Sequence, residues 1–580
     1  MTRSKFLDRV GRPSAPFARC VFAAGLLAAG CDAAPTPSEP VALELSALSG
    51  TACGDPESPN LGTSPFADAS RVTVAIRGTD AATGDFGTLM KRTSSLVEGR
   101  PVTIGKVPEG TDREIILFAQ GGAQPWYGRE SGIRVRRDTN NAATVLLSRF
   151  GGFSCVPTPG EVGNGVFAAA VALPDGTVLV TGGFTSVSGD GKAVTGASDR
   201  ALLFNAKTGA VTALGSMGVA RGAHAMVYMP ANGKVLIVGG ASEIGVDSAR
   251  PFPFYVDNHG SGSKALDDVI VFDPVARTFT PGTERMLAPR VFPRAAALAD
   301  GTVVITGGGE WPVPAAGHWL EVDMYDPQDN ENTGGFIETH GLRSFYARAG
   351  HTLTPIGDGS EQLTELLVWG GTTLHGPAGG IGEVYRQSAR QREGVSGTFA
   401  AVGIVPQDGG ADAPNFVFFH ETVKLSGDRF LAVGGAPLKG ASIGAPENDE
   451  VWLLTYRLEN DVPKVITHRL PGLTARVFHT ALSPDLTHAT IFGGWSALDA
   501  VGGADSLVTV DATVSDAHPD PTLAVDATAA ALTAPRGGHA AIVTSAGGIF
   551  VVGGESQARP GGEAKRLSAE VYVPPYAPTP

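Results

Sequence analysis

The feature that most constrains this chain is a short apolar run that ends in two glycines and occurs seven times. We interpret each run as a β-strand, because its residues are mostly apolar and β-branched. From the last glycine of one copy to that of the next, the chain runs 57 to 68 residues. A repeat of this length predicts a fold of stacked, similar supersecondary units. The copies are DGTVLVTGG (175–183), GKVLIVGG (233–240), GTVVITGG (301–308), LTELLVWGG (363–371), DRFLAVGG (428–435), THATIFGG (487–494) and GGIFVVGG (547–554).

Each repeat follows the same order of elements. A first strand of small and apolar residues, such as FAAAVAL (167–173), precedes a turn that usually contains Asp-Gly, Asn-Gly or Gly-Asp. These dipeptides favour hairpin turns, which need positive φ. The glycine-ended strand comes next, followed by a loop and a third strand, such as DVIVFDP (268–274). A weaker fourth strand, such as RTFTPG (277–282), completes most copies. We therefore predict four antiparallel strands per repeat.

Four strands per unit, a glycine pair after the second and Tyr/Phe-Asp-Pro in the third resemble the kelch repeat, over residues 161–576. The resemblance implies an all-β fold, a seven-bladed kelch-type β-propeller, which we assign to residues 151–580. The last repeat ends after AEVYVPPY (569–576) without a fourth strand. We expect GGFSCVPTP (151–159) to supply that strand and close the ring between the two ends of the chain.

The N-terminus resembles a bacterial lipoprotein signal. Residues 1–30 join a basic segment to a short apolar run, as a secretory signal peptide does. They end in Leu-Ala-Ala-Gly before Cys31, which resembles a lipobox, although Ala28 stands where the pattern has an aliphatic residue. The resemblance implies lipidation of Cys31 and a membrane anchor. The alternative is an ordinary cleaved signal that leaves Cys31 as a free thiol. Residues 31–65 are predicted to be the lipidated N-terminus and a flexible linker.

A small domain is predicted between this linker and the repeats. Residues 66–150 contain short runs such as RVTVAIRG (71–78) and REIILFAQ (113–120), separated by turn residues. Several runs alternate apolar and polar residues, as half-buried antiparallel strands do. The segment resembles a small β-sandwich of the immunoglobulin-like or transthyretin-like kind.

Outside residues 1–31 the chain has two cysteines, Cys53 and Cys155. In an exported protein an isolated pair is most simply interpreted as one disulfide. That bond would tie the N-terminal domain to the strand expected to close the ring. The alternative is two unpaired thiols.

The charge balance narrows the choice of partners. Without residues 1–30 the chain carries 39 Lys and Arg against 57 Asp and Glu, a net charge of −18. This balance argues against nucleic acid, because phosphate binding needs a cationic face. We expect a monomer that binds no metal and no cofactor.

Arginines at the start of five repeats are the first candidate binding residues. They open the innermost strands and should form a partial ring around the central channel. Such a ring could bind carboxylates through bidentate hydrogen bonds; the alternative is that these arginines are structural and salt-bridged. Four belong to an Arg-x-x-His motif, and the kelch resemblance implies a structural role for its histidines. The residues are Arg221/His224, Arg290 (without a histidine), Arg348/His351, Arg476/His479 and Arg536/His539.

Long loops after the glycine pairs are the second candidate. Antiparallel pairing puts these loops and the arginines on one face of the propeller. They carry aromatic residues, including Trp311 and Trp495, and exposed aromatics often contact partners. The alternative is that the loops merely cap the propeller.

We predict an exported, lipid-anchored, non-catalytic binding protein of the bacterial cell envelope. It would sit at the outer membrane, facing the periplasm or the surface, and bind an envelope protein or glycan through its loop face. Two alternatives remain: a carbohydrate-active isomerase or lyase with its pocket at the central channel, and a structural envelope protein. The galactose oxidase group also uses a kelch propeller, but its Tyr–Cys cross-link cannot form here because no cysteine follows Cys155.

Overall fold

A computed structural model of the chain describes most of the repeats and the domain before them. Its described part contains 42 β-strands arranged in ten sheets. No helix in that part is long and apolar enough to cross a bilayer. The described residues are 38–47, 66, 69–120, 124–137, 139–156, 165–187, 193–246, 254–255, 264–308, 321–329, 334–337, 339, 342, 344, 347–357, 364–371, 381–387, 397–407, 413–415, 417–439, 442–445, 447–496, 507–511, 532, 535–555 and 569–580.

The first seven strands form one sheet. They are β1 (Ser38–Ala47), β2 (Arg71–Thr79), β3 (Phe86–Ser95), β4 (Val102–Pro108), β5 (Gly110–Ala119), β6 (Trp126–Val135) and β7 (Asn141–Arg149). Their order is β3-β2-β5-β6-β7-β1-β4, and β1 runs parallel to β7. Val74 and Leu117 from one half of this sheet share a buried core with Ile104 and Leu147 from the other half. The two halves therefore fold over a common interior, as in a sandwich.

The prediction of a flexible linker is wrong for Ser38–Ala47. This segment is β1, which pairs with β7 on one side and with β4 on the other. The sequence VALELSAL alternates apolar and polar residues, which is the period of a half-buried strand. The alternation is short and lies beside a Pro-rich stretch, so composition alone favoured a linker.

Each repeat contributes one sheet, and the last one borrows a strand from before the first repeat. In chain order the sheets are β9 (Ala169–Ala172), β10 (Thr177–Thr181), β13 (Ala201–Asn205), β14 (Val211–Ala213); β15 (Ala225–Met229), β16 (Lys234–Val238), β19 (Asp268–Asp273), β20 (Thr278–Arg285); β21 (Arg294–Ala297), β22 (Val303–Thr306), β23 (Asp323–Asp326), β24 (Gly335–Ile337); β25 (Thr352–Ile356), β26 (Glu365–Trp369), β27 (Gly382–Gln387), β28 (Gly397–Ala401); β31 (Glu421–Lys424), β32 (Arg429–Val433), β35 (Val451–Glu459), β36 (Val462–Leu470), β29 (Gly403–Pro406); β37 (Thr480–Leu482), β38 (His488–Phe492), β39 (Leu507–Asp511); and β40 (Ala540–Val543), β41 (Ile549–Val552), β42 (Ala569–Val573), β8 (Gly152–Val156). In each sheet the glycine-ended strand pairs with the first and third strands, as predicted from the repeat.

Two small sheets are built from segments around the glycine pairs. One contains β11 (Phe184–Val187), β12 (Ala193–Ala197), β17 (Ile244–Val246) and β18 (Phe254–Tyr255); the other contains β30 (Val417–Phe418), β33 (Ala436–Lys439) and β34 (Ser442–Ile443). Part of the predicted loop face is thus regular structure.

Hydrogen bonds from the glycine pairs join the repeats in a cycle. The second glycine of each pair donates its N–H to a carbonyl at the start of the following repeat, with N···O distances of 2.7 to 3.1 Å. The bonds run from Gly183 to Arg221, Gly240 to Arg290, Gly308 to Arg348, Gly371 to Val417, Gly435 to Arg476, Gly494 to Arg536 and Gly554 to Gly165. The seventh bond returns to the first repeat, so the two ends of the repeat array meet.

The strand expected to complete the last repeat is confirmed. β8 pairs antiparallel with β42, with Cys155 opposite Glu570. Cys155 is disulfide-bonded and 2% exposed. Cys31 and Cys53 lie outside the described residues, so the Cys53–Cys155 pairing stays a prediction.

The N-terminal domain packs against the first and last repeats. Leu146 of β7 shares a buried cluster with Phe204 of the first repeat and Phe550 of the last. Lys207 Nζ lies 2.6 Å from Glu130 Oε1 across the same contact. The domain therefore covers the seam where the repeat array closes.

The first glycine of a pair is predicted to tolerate no side chain. Gly182 has φ of +66°, and a Cβ there would overlap the carbonyl oxygen of Arg221 and lie 2.8 Å from His224 Cε1. Gly427 has the same φ of +66° with nothing within 4 Å of a Cβ. The left-handed backbone alone should cost Gly427→Ala about 1–2 kcal/mol. Gly182→Ala should cost about 1–3 kcal/mol more, because of the added overlap. Urea unfolding of both variants measures the difference, and equal losses would contradict the packing argument.

Candidate functional site

A ring of seven residues with left-handed backbone surrounds the axis of the repeats. Each lies two positions before the first residue of the first strand of its repeat. They are Phe167, Ala223, Phe292, Gly350, Phe419, Phe478 and Gly538, with φ between +53° and +64°. In five places the backbone N–H of one ring residue donates to the backbone carbonyl of a neighbouring ring residue, with N···O distances of 2.7 to 2.9 Å. The donors and acceptors are Phe167 to Gly538, Ala223 to Phe167, Phe292 to Ala223, Phe419 to Gly350 and Gly538 to Phe478. Non-glycine residues rarely adopt this conformation, so the surrounding structure must hold the ring in place.

Aromatic side chains fill the centre of this ring. We call the six residues Phe167, Phe254, Phe292, Phe419, Phe478 and Trp495 the aromatic plug; they belong to one apolar cluster. Ring centroids lie 4.5 Å apart for Phe419 and Phe478 and 5.0 Å apart for Phe167 and Phe292. Tilted and edge-to-face contacts of this kind favour aromatic pairs beyond the area they bury. Because Phe254 and Trp495 follow glycine pairs, the plug closes the axis on the side of the loops.

The prediction that Trp495 is an exposed binding residue is wrong. Its side chain is 1% exposed, and its Nε1 donates to the carbonyl of Glu555 at 3.2 Å. It stacks on Phe254 with ring centroids 6.1 Å apart. A loop position could not reveal this, because the contacts that bury Trp495 come from residues distant in sequence, Phe254 and Glu555. Trp311 lies outside the described residues.

Beyond the plug, the first strands enclose a cavity of about 310 Å³, which we call the central well. The seven ring residues form its floor, and the beginnings of the first strands form its walls. The lining residues include 167–170, 223–226, 292–295, 350, 419, 421, 478–482 and 538–541. All seven repeats therefore contribute to one concave site.

Two charged side chains of opposite sign face each other in the well. Arg294 Nη2 lies 3.5 Å from Glu421 Oε1, and the two side chains are 39% and 25% exposed. Arg294 also donates from Nε to the carbonyl of His351 at 2.9 Å. Burial raises the pKa of the Glu421 carboxyl above its usual range, and Arg294 opposes that rise. The site thus holds a carboxyl and a guanidinium that water and a ligand can reach.

Sequence reasoning missed both of these residues. They occupy the same position of the repeat, the first residue after the Arg-x-x-His motif or its equivalent. At that position the seven repeats have Ala169, Ala225, Arg294, Thr352, Glu421, Thr480 and Ala540. A charge at a position that is alanine or threonine in the other five repeats was the available signal.

The histidines of the repeats are buried and structural. Nε2 of a histidine contacts a threonine Oγ1 of the preceding repeat in four pairs: Thr181–His224 (2.8 Å), Thr306–His351 (2.8 Å), Thr352–His420 (3.4 Å) and Thr480–His539 (2.9 Å). His420 was missed because its repeat has Val417 in the arginine position.

Burial dominates the electrostatics of these histidines. It lowers the pKa of His224, His420 and His539 to about 3. The pKa values of His351 and His479 also fall well below the usual range, again mainly because of burial. Nearby arginines add to each shift. All five rings are therefore neutral at physiological pH, and four of them join adjacent repeats through their threonine contacts.

Each of the five arginines is bound within its own sheet. Nη1 of each donates to the carbonyl of the first glycine in its own pair: Arg221 to Gly239 (2.9 Å), Arg290 to Gly307 (2.7 Å), Arg348 to Gly370 (2.5 Å), Arg476 to Gly493 (3.0 Å) and Arg536 to Gly553 (3.2 Å). Four also pair with a carboxylate at or near the start of the third strand: Arg221–Asp268, Arg290–Asp323, Arg348–Glu383 and Arg536–Glu570. In the fifth repeat, which lacks the arginine, Asn448 Nδ2 reaches the carbonyl of Gly434 at 2.7 Å.

The proposal that these arginines bind a ligand as a ring of cations is therefore corrected. Their side chains are 0–2% exposed, and their guanidinium groups join the second strand to the third. An external carboxylate would have to displace a buried internal partner. The structure supports the alternative of salt-bridged structural arginines.

No protein-family model matches the chain. No curated protein matches it either. Among solved structures, it is similar to a fungal alcohol oxidase of the AA5 family in complex with copper, with 16% sequence identity, a TM-score of 0.47, and coverage of 72% of this chain and 75% of that one. A likeness at this level carries no argument about function. In the part of the chain that the structure describes, no group of three or more His, Cys, Asp or Glu side chains is placed to hold a metal ion.

Proposed function

We propose that the chain is an exported, lipid-anchored binding protein whose seven repeats form a kelch-type β-propeller, and that it binds a small solute in the central well. The observation that carries the binding proposal is that the side chains of the Arg294–Glu421 pair are partly exposed in a cavity that the aromatic plug closes at one end. Ligand sites are typically concave and mostly apolar, with a few polar groups that orient the ligand. The predicted binding of an envelope protein or glycan concerns loops that lie largely outside the described residues.

The propeller arrangement is supported by two features. The glycine-pair hydrogen bonds join each repeat to the next and the seventh to the first. β8, from before the first repeat, completes the sheet of the last one. Radial packing of such sheets leaves a central channel lined by the first strands, which is where the well lies.

Filling the well tests the binding proposal. Ala225 lines it, and tryptophan there should occupy part of its volume. Val275 is 95% exposed in a turn of the same repeat and provides a matched control. The mature protein and the Ala225→Trp, Ala169→Trp and Val275→Trp variants are incubated with a low-mass extract of the source cells. Solutes retained on ultrafiltration are then identified by mass spectrometry.

The wild type and Val275→Trp should retain solutes that the folded Ala225→Trp or Ala169→Trp variant loses. Near-UV circular dichroism verifies that the well-filling variants are folded. Retention that is the same in all folded variants, or absent from the wild type, would overturn the proposal.

The anchor is part of the same proposal. Cys31→Ser removes the sulfur that would carry the lipid. The variant should then leave the membrane fraction when expressed in a bacterium. Continued membrane association of Cys31→Ser would count against lipidation.

A second candidate is a carbohydrate-active isomerase or lyase. It is favoured by the carboxyl of Glu421 beside the guanidinium of Arg294, since proton transfer and stabilisation of a developing negative charge use such groups. An isomerase or lyase that removes a proton from carbon would exchange that hydrogen with deuterium from D₂O. Mass spectrometry of retained sugars in D₂O, with Glu421→Gln as the inactive control, distinguishes catalysis from binding.

A further inference from the structure

We propose that the ligand of the central well is a small zwitterion, whose carboxylate binds Arg294 and whose ammonium group binds Glu421. This inference rests on the proposed function and specifies the chemical class of the ligand. It starts from a difference between this ion pair and the structural pairs of the same protein.

The structural ion pairs are short and buried. Arg221–Asp268, Arg290–Asp323 and Arg348–Glu383 are 2.5, 2.6 and 2.8 Å apart, and their arginine side chains are 0–2% exposed. Charge-assisted hydrogen bonds between such groups usually lie at about 2.7–2.9 Å. These pairs hold strands together inside one sheet.

The pair in the well differs in each respect. Arg294 and Glu421 are 3.5 Å apart, and Arg294 is 39% exposed. They come from the third and fifth repeats, so they do not join strands of one sheet. Both face a cavity. A pair that is loose, reachable and shared between distant repeats is suited to accept a ligand between its two charges.

The charge pattern of the well selects against ligands with one charge. A lone carboxylate at Arg294 would leave Glu421 with a weakened partner in a partly buried site, and a lone amine at Glu421 would do the same to Arg294. Leaving a partly buried charge uncompensated costs free energy, although less than in a fully buried pair. A molecule with both charges gives each side chain a new partner. Because the two side chains of the site carry opposite charges, the site should select a zwitterion over a singly charged ligand.

The remaining walls limit the size and character of the ligand. A volume of about 310 Å³ fits a single small molecule, at the lower end of the range for ligand pockets. Ala168, Ala170, Met226 and Leu482 add apolar surface around the pair. The site therefore suits an amino acid or a similar molecule with a short apolar part.

Calorimetric titration of the mature protein tests the charge requirement. The probes are the twenty proteinogenic amino acids, β-alanine and γ-aminobutyrate, which vary the distance between the charges. For each zwitterion that binds, the N-acetyl derivative (anion only) and the amide (cation only) are then titrated. At least one zwitterion should bind the protein. Both of its singly charged derivatives should bind the protein at least tenfold more weakly. No binding by any zwitterion, or equal binding of a singly charged derivative, would overturn the inference.

Two variants give a readout that a structural role would not produce. Arg294→Gln should lose affinity for the zwitterion and now prefer the amide, because Glu421 remains. Glu421→Gln should prefer the N-acetyl derivative, because Arg294 remains. Arg285→Gln, which removes an ion pair with Asp267 outside the well, is the matched control and should bind as the wild type does. Loss of affinity without this reversal of preference would contradict the inference.

The two proposals fail in different ways. If the wild type retains solutes that Ala225→Trp loses, and those solutes carry one charge or none, the well is a binding site but the zwitterion inference is wrong. If no solute depends on the well, the proposed function itself is wrong.

Discussion

Replacing Arg536 with methionine should lower the free energy of unfolding by about 3–5 kcal/mol, because it leaves a buried carboxylate without its cation. Arg536 and Glu570 are both 0% exposed in the last repeat, and Nη2 of the arginine contacts Oε1 of the glutamate. Arg536 Nη1 also donates to the carbonyl of Gly553 at 3.2 Å. The substitution therefore removes a charge and a hydrogen-bond donor from the interior. Urea unfolding monitored by fluorescence measures the loss.

Two comparisons identify the cause of that loss. The double variant Arg536→Met/Glu570→Leu removes both charges and should recover much of the stability, since apolar replacements of a buried pair are often neutral or better. Arg285→Met breaks the exposed pair with Asp267 and should change stability far less, because solvent screens that pair. Similar losses for Arg536→Met and Arg285→Met would contradict the burial argument.

Acidification below about pH 6.5, the ordinary histidine pKa, should destabilise the protein steeply. The five buried histidines have lowered pKa values in the folded protein, three of them about 3. In the unfolded chain they take up protons as the pH falls through 6.5, whereas in the folded protein they stay neutral. Their contribution to stability is therefore fully present above that pH and is lost progressively down to about pH 3. Each contributes a slope of about 1.4 kcal/mol per pH unit.

Unfolding should consequently be coupled to the uptake of up to five protons near pH 5. The free energy of unfolding is measured by urea titration between pH 7.5 and 4.5, and its slope against pH gives the number of protons. His539→Gln should reduce the slope by about one proton. Glu421 acts in the opposite direction, since its raised pKa favours the folded state at low pH. A slope that His539→Gln leaves unchanged would show that these histidines do not control the acid transition.

Local patterns predicted the repeat elements well. The seven glycine-ended strands and the use of residues 151–159 as the last outer strand follow from apolar runs, turn residues and the repeat length. Glycine is needed because its backbone has positive φ and lies against the next repeat, as at Gly182. The apolar runs, turn residues and glycine pairs are properties of a few neighbouring residues, so these elements can be inferred from the chain alone.

Contacts between distant residues decided the roles of the predicted site residues. The sequence places Arg536 at the start of a strand but does not show that its guanidinium turns into the sheet towards Glu570. It places Trp495 in a loop but does not show that the side chain packs on Phe254 and donates to the carbonyl of Glu555. A short alternating segment beside a Pro-rich stretch concealed β1, whose partner strands lie about sixty to a hundred residues further along.

By itself, the sequence determined the repeating unit of this protein: the strand order within a repeat, the glycine pairs, and the strand that completes the last sheet. The strand order and the glycine pairs follow from periodicity and backbone conformation, which act over short stretches of chain. The completing strand follows from the fourth strand that the last repeat lacks. Only the tertiary structure decided where charge is reachable. It buried the five conspicuous arginines against carboxylates of their own sheets and brought Arg294 and Glu421, from two different repeats, to 3.5 Å across one cavity. Desolvation and pairing depend on neighbours that are distant in sequence, so this distinction exists only in the folded chain.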